Sequence, residues 1–250
     1  MFGKQEGKTA LGGKIAVLAM ALLTSGMLAG CTSDDPAQDQ ALEPGMTTGA
    51  AWQQLKSVDA LEIALKESGE GINICIPQFV VDEDDVTADA FNGFNEELQG
   101  KMTEWQAWLD NPAEGETASV NTYAMDTENY LSVLVTEQLA DAENTENEVS
   151  SYVFDKIVER EMDLDMAMTL ANVDDDMIAA ALEEYISANS DGANEEWLRF
   201  SVDAYAMDEN EQAVLYIDTT VVKKDDDGNK ERRKEIYVLS GGEIIGRLAM

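Results

Sequence analysis

The chain has 250 residues with 51 Asp and Glu against 16 Lys and Arg, no His, and a formal net charge of -35. Such a balance excludes a general nucleic-acid binder, which needs clustered cations for phosphates, and argues against electrostatic attachment to anionic lipid. The missing histidine removes the commonest general base and the commonest metal ligand, while a hydrophobic content of 44% is that of a folding chain.

Residues 1–14 are short, polar and positive, and residues 15–29 form an apolar run ending beside Gly30 and Cys31. A positive region, an apolar region and small residues before a cysteine are the pattern of a secretory signal. Leu28, Ala29, Gly30 and Cys31 read as a bacterial lipobox: the first three are the signal-peptidase recognition residues, and the Cys31 sulfur is the nucleophile that takes the lipid. A retained spanning helix is the alternative, but the run falls short of the about 20 apolar residues a span needs. The expected mature protein is therefore attached to a membrane through lipid on the extracytoplasmic face of a bacterial cell. Residues 1–30 would be the signal peptide, 31–50 the lipidated cysteine and a flexible tether, and 51–250 a single extracytoplasmic domain. With Cys31 consumed, Cys75 is the only thiol left, so no internal disulfide is expected, and Cys75 reads as a small buried hydrophobe.

Trp52, Leu55, Val58, Leu61 and Leu65, at spacings of three and four, predict an amphipathic helix over 51–67. A strand follows at 72–81, with Pro77 confined to an edge or a bulge because it cannot donate to a ladder. A long helix is expected over 86–109, with Phe91, Phe94, Leu98, Met102, Trp105 and Trp108 on one face. The two tryptophans suit core packing better than a ligand platform. Strands are predicted at 117–125, 130–138 and 149–158, the first two joined by a loop at Asp126–Asn129. A short mixed segment spans Met162–Leu170, and a second clear helix spans 174–189, its Asp174–Asp176 run placed where the dipole favours negative charge. Strands near 197–206, 212–222, 233–239 and 243–249 complete an α+β fold, antiparallel sheet packed with two main amphipathic helices. One string recurs: Tyr123-Ala-Met-Asp126 and Tyr205-Ala-Met-Asp208 each precede an apolar strand.

Chemical motifs are absent. The loop Asp225–Asn229 tempts a calcium reading, but counting from Asp225 puts Lys230 at position 6 and Ile236 at position 12, where an EF-hand needs Gly and Glu. The basic residues Lys230–Lys234, with Lys223 and Lys224 across the turn, are expected to offset the Asp run. No metal or other cofactor is expected, and no phosphate loop, nucleophile elbow or zinc motif occurs. Paired carboxylates for hydrolysis would need burial to separate their pKa values, and the sequence marks no such pair.

The order of elements carries a resemblance. Ile76-Pro77, the helix at 86–109, Leu131-Ser-Val-Leu-Val135, Tyr152-Val-Phe-Asp155 and Met162-Asp-Leu164 together resemble the extracellular domain of RsiV-type anti-sigma factors. The non-catalytic domain of the peptidoglycan deacetylase PdaC shares it. The resemblance covers about residues 70–245. It implies a sensing or binding domain, and in the anti-sigma relatives that domain binds lysozyme, a cationic protein. The chain departs from the family at Lys156–Arg160, where a Thr-Gly turn is usual. The deacetylase part and its histidines are missing, and with only 14 residues before the apolar run no sigma-factor sequestration is expected. The expected function is a lipid-anchored, non-catalytic envelope binding domain with a cationic protein partner and no nucleic-acid partner. An accessory or structural lipoprotein without a dedicated ligand, and a carboxylate-based envelope hydrolase, stand as alternatives.

Overall fold

The computed structural model describes residues 41–42, 46–47, 50–51, 58–142, 144–189, 195–224 and 230–248. The lipobox residues Leu28, Ala29, Gly30 and Cys31 lie outside them, as does the loop 225–229. Three two-residue strands come first: β1 (Ala41–Leu42), β2 (Met46–Thr47) and β3 (Ala50–Ala51). Next come β4 (Leu61–Gly69), β5 (Ile72–Phe79), helix α1 (Ala88–Asp110), β6 (Thr117–Asp126), β7 (Tyr130–Ala140), β8 (Thr145–Asp155) and β9 (Arg160–Glu161). The chain continues through α2 (Leu164–Ala171), α3 (Asp175–Asn189), β10 (Glu195–Met207), β11 (Ala213–Lys224), β12 (Lys230–Ser240) and β13 (Glu243–Leu248).

Among the described residues one sheet has the order β4-β5-β6-β7-β8-β9, and a second has the order β1-β13-β12-β11-β10. Pairing is antiparallel except for two ladders, β5 with β6 and β1 with β13. The α+β class is as expected, and its layers follow from which faces are apolar. Phe91, Phe94, Leu98 and Trp105 of α1 pack on Ile74, Val133, Val135, Tyr152 and Phe154 of the first sheet. The opposite face of that sheet offers Leu134 and Val149 to Ala204, Ala206, Tyr216, Ile236 and Val238 of the second. The far face of the second sheet, through Leu215, Ile217, Tyr237 and Leu239, is covered by Ile178, Leu182 and Ile186 of α3 and by Ala167 of α2. The result is four layers: helix, sheet, sheet, helices.

The helix expected over 51–67 is corrected. Residues 61–69 form strand β4, and residues 52–57 lie outside the described residues. Leu61, Ile63 and Leu65 also fit a period of two; a bulge falls between Ile63 and Leu65, and Ile63 is left exposed. Pro77 stands opposite Ile63, beside this bulge and beyond the short ladder of β5 with β6, so its missing N–H breaks no pairing there. The hairpin between β4 and β5 needs Gly71. Its φ is 72°, and a Cβ there would lie 2.8 Å from Cγ2 of Thr117, whose neighbour Ala118 donates to the Gly71 carbonyl at 2.8 Å.

The helix α1 is held to the end of β5 by Asn95, which accepts from Phe79 N at 2.7 Å and donates back to Phe79 O at 2.9 Å. Phe79 stacks within 5.0 Å of Phe94 and 4.9 Å of Phe91. The segment expected to be mixed at 162–170 is a helix of two turns, capped by Asp163, whose carboxylate accepts from Met166 N, and closed by Asn172 in the left-handed region. Asp174 caps α3 in the same way through Met177 N at 2.9 Å. Cys75 is half-buried, with burial raising its thiol pKa.

Burial also governs four phenols. Desolvation raises Tyr152, Tyr216 and Tyr237 above the ordinary value and pushes Tyr205 up to about 12. In the unfolded chain each titrates near pH 10, about the model-peptide value. Between that pH and the folded pKa the native state holds more protons, so stability is full below about pH 10 and falls as pH rises. Ultraviolet titration of the native protein should show these four phenolates appearing late, together with unfolding. Four phenols titrating normally at pH 10 in a folded chain would contradict their burial.

Candidate functional site

The repeated Tyr-Ala-Met-Asp strings end equivalent strands. Asp126 closes β6 and Asp208 follows β10, each at the hairpin turn of the strand pair that comes after a long helix. The two-sheet packing brings these turns side by side. Between them lies a cleft of about 530 Å³ lined by Asp126 and Glu128 from one turn and Glu209 and Glu211 from the other.

The turns are joined through one carboxylate. Glu211, in the left-handed region with φ 58°, accepts from Asn129 N at 3.0 Å and from Asn129 Nδ2 at 2.6 Å. Hydrogen bonding from Asn129 holds its carboxyl below the usual range. Asp208 is buried and spends itself on its own turn, accepting from Asn210 N and Gln212 N at 2.8 Å each. Lys156, from the turn after β8, meets Asp126 and the carbonyl of Thr127. Glu128 and Glu209 are exposed at the rim. The site can therefore present two acidic turns, joined through Glu211 and Asn129, to a positive group.

The residues that reasoning on sequence missed are Glu128, Glu209 and Glu211. The signal that could have found them was the repeated string, which ends two residues before Glu128 and one and three residues before Glu209 and Glu211. Leu28, Ala29, Gly30 and Cys31 lie outside the described residues. The two tryptophans are brought together, but as packing: Trp105 is buried and donates to Glu137 at 2.6 Å, Trp108 donates to Glu116 at 2.8 Å, and their rings meet edge to face. The one carboxyl pushed upward among the described residues is Glu161, by burial and then by Glu97 and Asp163, and it lies on β9 outside the cleft. Among the described residues no three acidic or Cys side chains converge to hold a metal ion, and no helix is long and apolar enough to cross a membrane.

The Asp225–Asp227 run that the basic cluster was expected to offset lies outside the described residues. Within the described residues Arg233 and Lys223 both meet Glu195, Lys234 meets Asp218, and Arg247 meets Glu235. Compared with models of known protein families and with curated proteins, the chain matches neither.

Proposed function

We propose that this protein is a lipid-anchored, extracytoplasmic binding domain, non-catalytic, that recognises a cationic protein such as lysozyme. The observation that carries the reading is the cleft in which Asp126, Glu128, Glu209 and Glu211 gather on two hairpin turns. A rigid acidic cleft on a chain of net charge -35 both steers a basic partner and offers it a fixed place to dock. The lipobox ending in Cys31 and the resemblance to RsiV-type domains support the same reading. Lipid on Cys31 would hold the domain where proteins arrive from outside the cell.

The test is a titration against lysozyme at low and at physiological ionic strength, with a second protein of similar positive charge as control. Exposed charges are screened beyond about 8 Å at 0.15 M, so a non-specific acidic surface loses both partners together. Specific docking retains lysozyme at 0.15 M, and Glu128→Gln with Glu209→Gln weakens it about tenfold. Equal weak binding of both proteins, vanishing together with salt, leaves the reading of an accessory lipoprotein without a dedicated ligand.

A further inference from the structure

Half of the chain's 16 Lys and Arg lie on β10 to β13, and the strand register divides them between two faces. On the face toward α3, Lys223, Arg233 and Arg247 are consumed by Glu195 and Glu235. The other face is the continuation of the one that buries Tyr216, Ile236 and Val238 against the first sheet. Beyond Asn147 of β8, which borders the same cleft as Ile236, this face emerges into solvent. There Arg199, Thr220 and Lys234 form one row across three strands, and Arg232 stands in the next row.

Two adjoining grooves of about 400 and 390 Å³ run along the rows and share Arg199, Thr220 and Lys234. Lys234 pairs with Asp218 at 3.0 Å. Arg199 uses Nε alone, donating to Thr220 Oγ1 at 3.2 Å, and Arg232 makes no salt bridge among the described residues. Among the described residues Arg199 and Arg232 are both exposed and neither makes a salt bridge, while Asp218, paired with Lys234, lines the second groove.

We propose that this groove binds a linear polyanion carrying phosphate groups. A guanidinium fork takes two oxygens of one phosphate, the Thr220 hydroxyl adds a donor in the same row, and Lys234 there offsets the Asp218 carboxylate. The concave strip suits a chain laid along it, whereas a flat bilayer meets protruding cations. Single-stranded nucleic acid would want a free aromatic face for its bases. Phe200 borders the groove but is spent on Trp197 and the core on the α3 side.

The surrounding charge gives the site an unusual signature. At about 10 mM salt the screening length is near 30 Å, so the whole acidic body repels the ligand; at 0.15 M it is about 8 Å and the groove's own cations dominate. Affinity should therefore rise between these salt concentrations, opposite to an ordinary basic patch.

The experiment titrates the purified full-length protein with inorganic polyphosphate at both salts. The expected result is saturable binding, tighter at 0.15 M, and weakened about tenfold by Arg199→Gln with Arg232→Gln. Lys66→Gln with Arg160→Gln removes the same two charges from the first sheet and should change nothing. Arg199→Lys alone, which keeps the charge and loses the fork, should weaken binding several-fold and serves if the double variant fails to fold. Equal weakening by both double variants, affinity falling with salt, or equal binding to a single-stranded oligonucleotide or to vesicles of anionic lipid would overturn the proposal.

Discussion

Trp105→Ala should unfold the protein at a much lower denaturant concentration, costing about 3–5 kcal/mol. Trp105 lies buried in the last third of α1 against the first sheet, and its Nε1 donates to Glu137 on β7. Glu137 is itself buried and receives Lys101 from the same helix. Truncation thus opens a cavity and removes one of two donors from a buried carboxylate, and such penalties add in the same direction. Trp108→Ala is the comparison, because its half-exposed ring loses less packing and should cost under about 2 kcal/mol. Denaturant midpoints of the two variants at equal slope check this, and equal small shifts would show that α1 is not held as described.

Ser132→Ala should cost about 1–3 kcal/mol although it removes a single oxygen. The strand β10 is the last of its sheet, so its outer N–H groups have no strand partner. Two of them are met by hydroxyls rising from the face of the other sheet: Met207 N donates to Ser132 Oγ at 3.0 Å and Tyr205 N to Ser151 Oγ at 2.9 Å. Ser132 is wholly buried, so no water replaces its oxygen and the Met207 amide is left orphaned. Ser151→Ala acts on a half-buried site and should fall at the low end of the range. In the double variant hydrogen exchange at Tyr205 and Met207 should accelerate more than in the rest of the sheet. Unchanged stability in Ser132→Ala would mean that the two sheets are not joined through these hydroxyls.

Where one physical signal dominated, the elements were legible. The aromatic and aliphatic stripe from Phe91 to Trp105 is nearly unbroken at helical spacing, and α1 lies where that stripe put it. The strand at 61–69 was not legible, because Leu61 and Leu65 satisfy a helical spacing as well as the alternation through Ile63, and only the pairing with β5 decides between them. The double-sheet core left a faint trace. Residues 131–137 of β7 are all buried, since both faces of the strand are covered, yet Ser132 and Thr136 read as solvent positions in an alternating pattern, and Glu137 is a charge on the apolar face. Ser132 is met by Met207 N and Glu137 by Trp105 and Lys101, contacts between layers that no local pattern records. The cleft was half visible: the repeated string marked Asp126 and Asp208, but only the packing of sheet on sheet placed the two turns together.

The pairing of β1 with β13 has a consequence in time. Ala41 lies beside Arg247 and Leu42 beside Leu248, so the first described strand of the chain finds its partner in the last. Closing a loop of roughly 200 residues costs about 5 kcal/mol of chain entropy by the logarithmic scaling alone, and the contact returns little until its neighbours are in place. During synthesis the first sheet, drawn with α1 from residues 58–161, has all its own strand partners long before β13 leaves the ribosome. The residues at 41–42 stay undocked through that interval. Their seating on the sheet edge waits on β13.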